Sequence, residues 1–97
     1  MTSLDKAFGV AIRQRRMELG ISQEELGFVA GVHRTYISQI ERGIKSPSLR
    51  VIAVLARALD IQVSRLMEMA EQVLSLSMQV DSNDNVHTTR PGNKPQS

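Results

Sequence analysis

Between His33 and Arg42 the chain gathers polar side chains of one kind: His33, Arg34, Thr35, Tyr36, Ser38, Gln39 and Arg42, set around two aliphatic residues, Ile37 and Ile40. The two isoleucines stand three apart, on one face of a helix, and would anchor it to a core while the polar side chains stay on the free face. An ordinary solvent-facing helix more often carries Glu and Lys, yet here the acid is confined to Glu41. The polar set has a definite chemistry. Arginine pairs with two acceptors on the guanine edge, glutamine with the adenine edge, and a threonine methyl packs on the thymine methyl. Hydroxyls, guanidinium and imidazole also suit phosphate oxygens.

Such a helix needs others to aim it. Ser22 and Glu25 form a capping box that opens a preceding helix, with Leu26, Val29 and Ala30 expected inward. Gly27 and Ala30 are small enough for a steep crossing. Gly31 is free to take the positive φ of a tight turn, and Val32 buries that turn. The polar helix then runs from about His33 to Arg42 and stops at Gly43. Upstream, Leu4, Phe8, Ala11, Ile12 and Leu19 share a helical face that ends at Gly20, with Thr2 and Asp5 placed to cap its start. Downstream, Ser46-Pro47-Ser48 opens a fourth helix with proline suited to the first helical position, and Leu49, Ile52, Ala53, Ala56 and Leu59 form its expected buried stripe. A fifth and longer helix is expected from Ser64, with Leu66, Met67, Ala70, Val73 and Leu74 apolar, extending toward Met78 and Val80. No strand-like alternation is present, so the expectation is an all-α, five-helix domain over residues 1–80. Residues 81–97 hold one aliphatic residue, Val86, and read as a disordered tail that cannot offset its chain entropy.

Composition narrows the function. The 97 residues allow one domain with a small core, which association would help. There is no cysteine, which removes disulfides, thiolate metal sites and thiol nucleophiles. No apolar run reaches the roughly 18 residues of a membrane span, and no signal peptide is visible, so a cytoplasmic protein is expected. The net charge of +2 does not announce a polyanion, but its distribution is uneven. Arg13, Arg15 and Arg16 form one cluster, and Arg34, Arg42, Lys45 and Arg50 another. Arg13 and Arg15 read as solvated, Arg16 as structural. Paired carboxylates, a Ser-His-Asp set and a phosphate-cradling glycine loop are missing, which argues against catalysis. His33 has no second ligand nearby, so no metal or other cofactor is expected. Met67, Met69 and Met78 are suited to filling gaps or an interface. No separate domain is at hand for a small-molecule effector.

Residues 8–67 resemble the lambda-repressor/Cro-like, or XRE-type, helix-turn-helix family. The resemblance rests on Gln23, Gly27, Gly31, Val32, Ile37 and Ile40, and on the phrases LGISQEEL and RTYISQIERG…SPSL. Gly27 stands where the family more usually has alanine, a departure worth about 1 kcal/mol of helix stability. The resemblance implies double-stranded DNA as partner, with the second helix of the unit in the major groove. It implies that Arg34, Thr35 and Gln39 face bases, and that Gln23 clamps a phosphate at a helix N-terminus. Tyr36 and Ser38 would touch phosphates or bases, with packing against the body a rival role for Tyr36. His33 would be a polar contact at the helix start, and Arg42 belongs to the same face. Lys45, Ser46 and Arg50 would follow the backbone, and Arg16 and Glu41 would form an ion pair bridging the first helix to the third.

Leu66, Ala70, Val73, Leu74 and Ser77 recur at helical steps, either docked on the chain's own core or as a dimer seam; the seam, over about residues 64–78, is the favoured expectation. Family members of this size generally dimerise. The function then expected is a homodimeric regulator of transcription without enzymatic activity, binding inverted half-sites about 10 base pairs apart or a near multiple. It would block or recruit RNA polymerase. The RTYIS…IERG…PSL run is also similar to restriction–modification controller proteins, while antitoxins and protein-binding adaptors use the same domain.

Overall fold

The computed structural model describes residues 3–84, with side chains described through residue 77. They form five helices: α1 (Leu4–Glu18), α2 (Gln23–Ala30), α3 (Arg34–Glu41), α4 (Leu49–Ala58) and α5 (Val63–Asp84). The helix starts are written locally. Ser3 caps α1, its Oγ accepting the Lys6 N–H at 3.1 Å, while Thr2, the expected cap, lies outside the described residues. The expected capping box opens α2: Ser22 Oγ accepts from Glu25 N–H at 3.0 Å, and Glu25 Oε1 accepts from Ser22 N–H at 2.8 Å. Gly31 takes φ +75°, and the Val32 N–H returns to the Gly27 carbonyl at 2.9 Å, closing the turn into α3. Ser48 caps α4, accepting from the Val51 N–H at 3.2 Å. Pro47 therefore precedes the cap instead of occupying the first helical position, because the serine side chain satisfies the free N–H that proline would merely have omitted.

One core unites the five elements. Phe8, Ala11 and Ile12 of α1 meet Leu26 and Ala30 of α2, Ile37 and Ile40 of α3, Leu55 and Ala56 of α4 with Leu59 just past its end, and Leu66, Met69 and Ala70 of α5. Several residues expected inside are outside. Leu4 and Leu19, at the ends of α1, are exposed, and so is Val29 of α2. On α4, Leu49 is 83% exposed and Ala53 is also exposed, while Leu55, absent from the expected stripe, is fully buried. Most of α4 is apolar, so its apolar residues alone do not fix its rotation. Arg50 and Arg57 do: seven apart, they share a face, and Ile52, Leu55 and Leu59 lie opposite.

Two glycines set the helix crossings. A Cβ on Gly9 would stand 2.6 Å from the Glu41 carbonyl oxygen and would also collide with that of Ile40, so α1 passes α3 at backbone distance. A Cβ on Gly27 would stand 2.6 Å from the Val32 carbonyl oxygen and 3.2 Å from the Arg34 nitrogen. Gly27 is thus fitted to this tight turn, more than a mild departure from alanine. Arg15, expected to be solvated, instead closes the far end of the domain. Its Nε donates to the Leu59 carbonyl at 2.9 Å and its Nη2 to that of Asp60 at 3.0 Å, tying α1 to the turn between α4 and α5.

Helix α5 lies along α1. Leu66 and Ala70 are wholly buried against the chain's own core, which corrects their assignment to a dimer seam. A side chain already covered within one chain has no area left for a second. Val73 and Leu74 remain half-exposed, and Leu76 is 62% exposed. The helix runs to Asp84, past the boundary expected after residue 80, and residues 85–97 of the expected tail lie outside the described residues.

Candidate nucleic-acid interface

Helix α3 is held at both ends and along one side. His33 caps its start, with Nδ1 accepting the Thr35 N–H at 3.0 Å, so one ring nitrogen serves the helix itself. Ile37 and Ile40 are completely buried. On the other side Arg34, Thr35 and Arg42 are exposed and Ser38 and Gln39 half-exposed. Tyr36 is half-buried against the core, so packing is at least part of its role. Arg34 lies 3.9 Å from Glu24, but both side chains are mostly in water, where such a pair contributes little and is readily exchanged for another anion. Arg42 Nε donates to the Ser38 carbonyl at 3.4 Å.

Beyond α3, Gly43 takes φ +74°, and the Gln39 carbonyl accepts the N–H groups of Ile44 at 2.9 Å and Lys45 at 3.4 Å. Those bonds fasten the following loop to the helix. Lys45 and Ser46 are exposed in it, and Arg50 is exposed in the first turn of α4.

Arg16 and Glu41 make the expected pair in bidentate form: Nε to Oε2 at 2.7 Å and Nη2 to Oε1 at 3.0 Å. Their side chains are only 12% and 4% exposed. Hydrogen bonding to Glu41 raises the Arg16 pKa above its already high ordinary value; burial opposes the shift, and the opposite charge adds to it. The remaining Nη1 donates to the Ile21 carbonyl at 2.9 Å. Gln23, expected to face a phosphate, joins the same cluster, its Nε2 donating to Glu41 Oε1 at 3.0 Å. One carboxylate thereby connects α1, the start of α2 and the end of α3.

Sequence reasoning missed the Gln23–Glu41 bond, the Arg15 clasp and the Gly9 crossing. Gly9 did leave a signal: a glycine inside a helix costs about 1 kcal/mol against alanine and usually marks a packing need. Among the described residues no cluster of His, Asp and Glu could hold a metal ion, and no helix is long and apolar enough to cross a membrane.

Paired helices α2 and α3, a buried stripe on α3 and a polar outer face define a helix-turn-helix unit. A helix-turn-helix family model matches residues 12–66. The control protein C.BamHI of Bacillus amyloliquefaciens is 44% identical over 62 residues, covering 63% of this chain and 76% of its own. The restriction–modification controller protein C.AhdI from Aeromonas hydrophila is 44% identical with a TM-score of 0.62, over 65% of this chain and 90% of that one. The controller protein C.Esp1396I, solved as a tetramer with its natural 35 base-pair operator, is 26% identical with a TM-score of 0.69, over 75% of this chain and 96% of that one. The chain belongs to the XRE-type helix-turn-helix family, whose members similar to it are transcriptional regulators and controller proteins.

Proposed function

We propose that this protein is a sequence-specific regulator of transcription that binds a two-fold symmetric operator as a homodimer, blocks or recruits RNA polymerase there, and acts on its own promoter. The observation behind this reading is α3 itself, with Ile37 and Ile40 wholly buried and a free face of base- and phosphate-pairing side chains. Arg34, Thr35 and Gln39 read bases. Gln23, His33, Tyr36, Ser38, Arg42, Lys45, Ser46 and Arg50 bind the backbone or share both tasks. The operator-bound tetramer of C.Esp1396I supports an assembly larger than one chain on DNA. Similarity to C.BamHI and C.AhdI supports a controller role beside a restriction–modification gene pair.

The deciding experiment is selection from a random DNA pool, followed by anisotropy of the enriched site across a salt series. An enriched palindrome, bound far more tightly than random DNA, is the expected result; weak binding without enrichment that vanishes at moderate salt would refute sequence-specific recognition. On the enriched site, Arg34→Ala should cost about 1–3 kcal/mol and relax the preference at one position of each half-site. An equal loss on every sequence would make Arg34 a phosphate contact.

The second copy is assigned to the outer half of α5, where Val73, Leu74 and Leu76 leave apolar surface uncovered. Leu74→Asp should shift the sedimentation mass toward the monomer at low micromolar concentration. An unchanged mass would place the interface elsewhere.

A further inference from the structure

We infer that Glu41 is a positioning residue for backbone binding: it holds the Gln23 amide in the orientation that presents an N–H to a phosphate oxygen, and Arg16 makes this electrostatically possible. The inference rests on the DNA-binding function proposed above and deepens it.

A carboxylate only accepts hydrogen bonds, so Glu41 Oε1 at 3.0 Å from Gln23 fixes the amide with nitrogen, rather than oxygen, toward it. The two N–H bonds of a planar amide diverge. With one on Glu41, the second points away from the carboxylate and has no acceptor among the described residues. A free glutamine samples several rotamers and both amide orientations, and would lose that freedom on meeting DNA. Here the carboxylate has imposed the order beforehand, and preorganisation of this kind strengthens binding without a new contact.

The arrangement puts the amide nitrogen between two anions, Glu41 and the phosphate. Left bare, the carboxylate would repel the phosphate across one side chain. Arg16 removes that conflict by meeting both carboxylate oxygens, at 2.7 and 3.0 Å, leaving Gln23 to bridge from a neutralised pair. Glu41 also closes α3. The phosphate clamp and the aim of the recognition helix thus share one anchor.

The test is a cycle of Gln23→Ala, Glu41→Leu and the double variant in the full chain, each titrated against the enriched operator with single phosphates replaced in turn by neutral methylphosphonates; leucine is chosen because a glutamine at 41 would keep an acceptor oxygen for the Gln23 amide. In the unaltered protein one phosphate per half-site should matter by about tenfold. That sensitivity should vanish in Gln23→Ala, vanish equally in Glu41→Leu although Gln23 is still present, and fall no further in the double variant. Persistence of the sensitivity in a folded Glu41→Leu, or additive losses, would overturn the inference.

A second measurement needs no variant. In NMR spectra of the DNA-free native protein, one of the two Gln23 Nε2 protons, the one held by Glu41, should exchange with solvent markedly more slowly than those of an exposed glutamine such as Gln62. Exchange as fast as at Gln62 would overturn the inference even if Glu41→Leu failed to fold. An ordered Gln23 amide in a protein with no affinity for any duplex would overturn it together with the DNA-binding function, and so be distinct from failure of the cycle alone.

Discussion

Arg16→Met should destabilise the protein by about 3–5 kcal/mol, the range expected when one partner of a buried ion pair is removed and the other left without compensation. Glu41 would keep only the Gln23 N–H, and the Ile21 carbonyl would lose its Arg16 donor as well. At roughly 4 °C or more of Tm per kcal/mol for a domain of this size, the transition should fall by more than about 12 °C. Urea unfolding at constant m-value is the measurement. A loss below about 1 kcal/mol would mean that the pair behaves like an exposed one. Replacing both partners, as Arg16→Met with Glu41→Leu, should recover part of the stability, because no charge is then left buried, while the phosphate clamp stays lost. The raised Arg16 pKa gives a further expectation. Its stabilisation is complete below the unfolded-state value and is lost only as pH rises through the folded one, so Arg16 should add no step to the stability curve up to about pH 11.

Gly9→Ala should destabilise by about 1–3 kcal/mol, the usual cost of overpacking. In an isolated helix the same change would stabilise by about 1 kcal/mol, so the two effects have opposite signs. The packing effect should win because the new methyl meets backbone atoms, the carbonyls of Ile40 and Glu41, which cannot swing aside as a side chain would. Restoring clearance means moving α1 away from α3, which would strain the Arg16–Glu41 pair across that same crossing. The urea midpoint decides it: a more stable Gly9→Ala protein would show that α1 and α3 can separate at little cost.

Features whose rules act within a turn or two of helix could be read from the chain alone. The Ser22–Glu25 capping box, the positive φ of Gly31, the end of α3 just before Gly43, and the burial of Ile37 and Ile40 are all as the local sequence led one to expect. The resemblance to a family added the Arg16–Glu41 pair, whose partners no local rule connects. The rotation of α4 was written in Arg50 and Arg57, although the apolar residues around them obscured it.

Features that depend on where helices cross were settled by the packed fold. Leu66, Ala70, Val73 and Leu74 have the same helical period whether they face α1 or a second chain; once α5 lies along α1, the first two are covered and the last two are left half-exposed. Arg15 looked like any solvated arginine until its carbonyl partners, 44 and 45 residues away, were brought beside it. Gln23 and Glu41, 18 residues apart, meet for the same reason. Periodicity and capping are properties of neighbouring residues. A distant partner depends on the distance and angle between helices, which the whole core sets together, so no short stretch of sequence contains it.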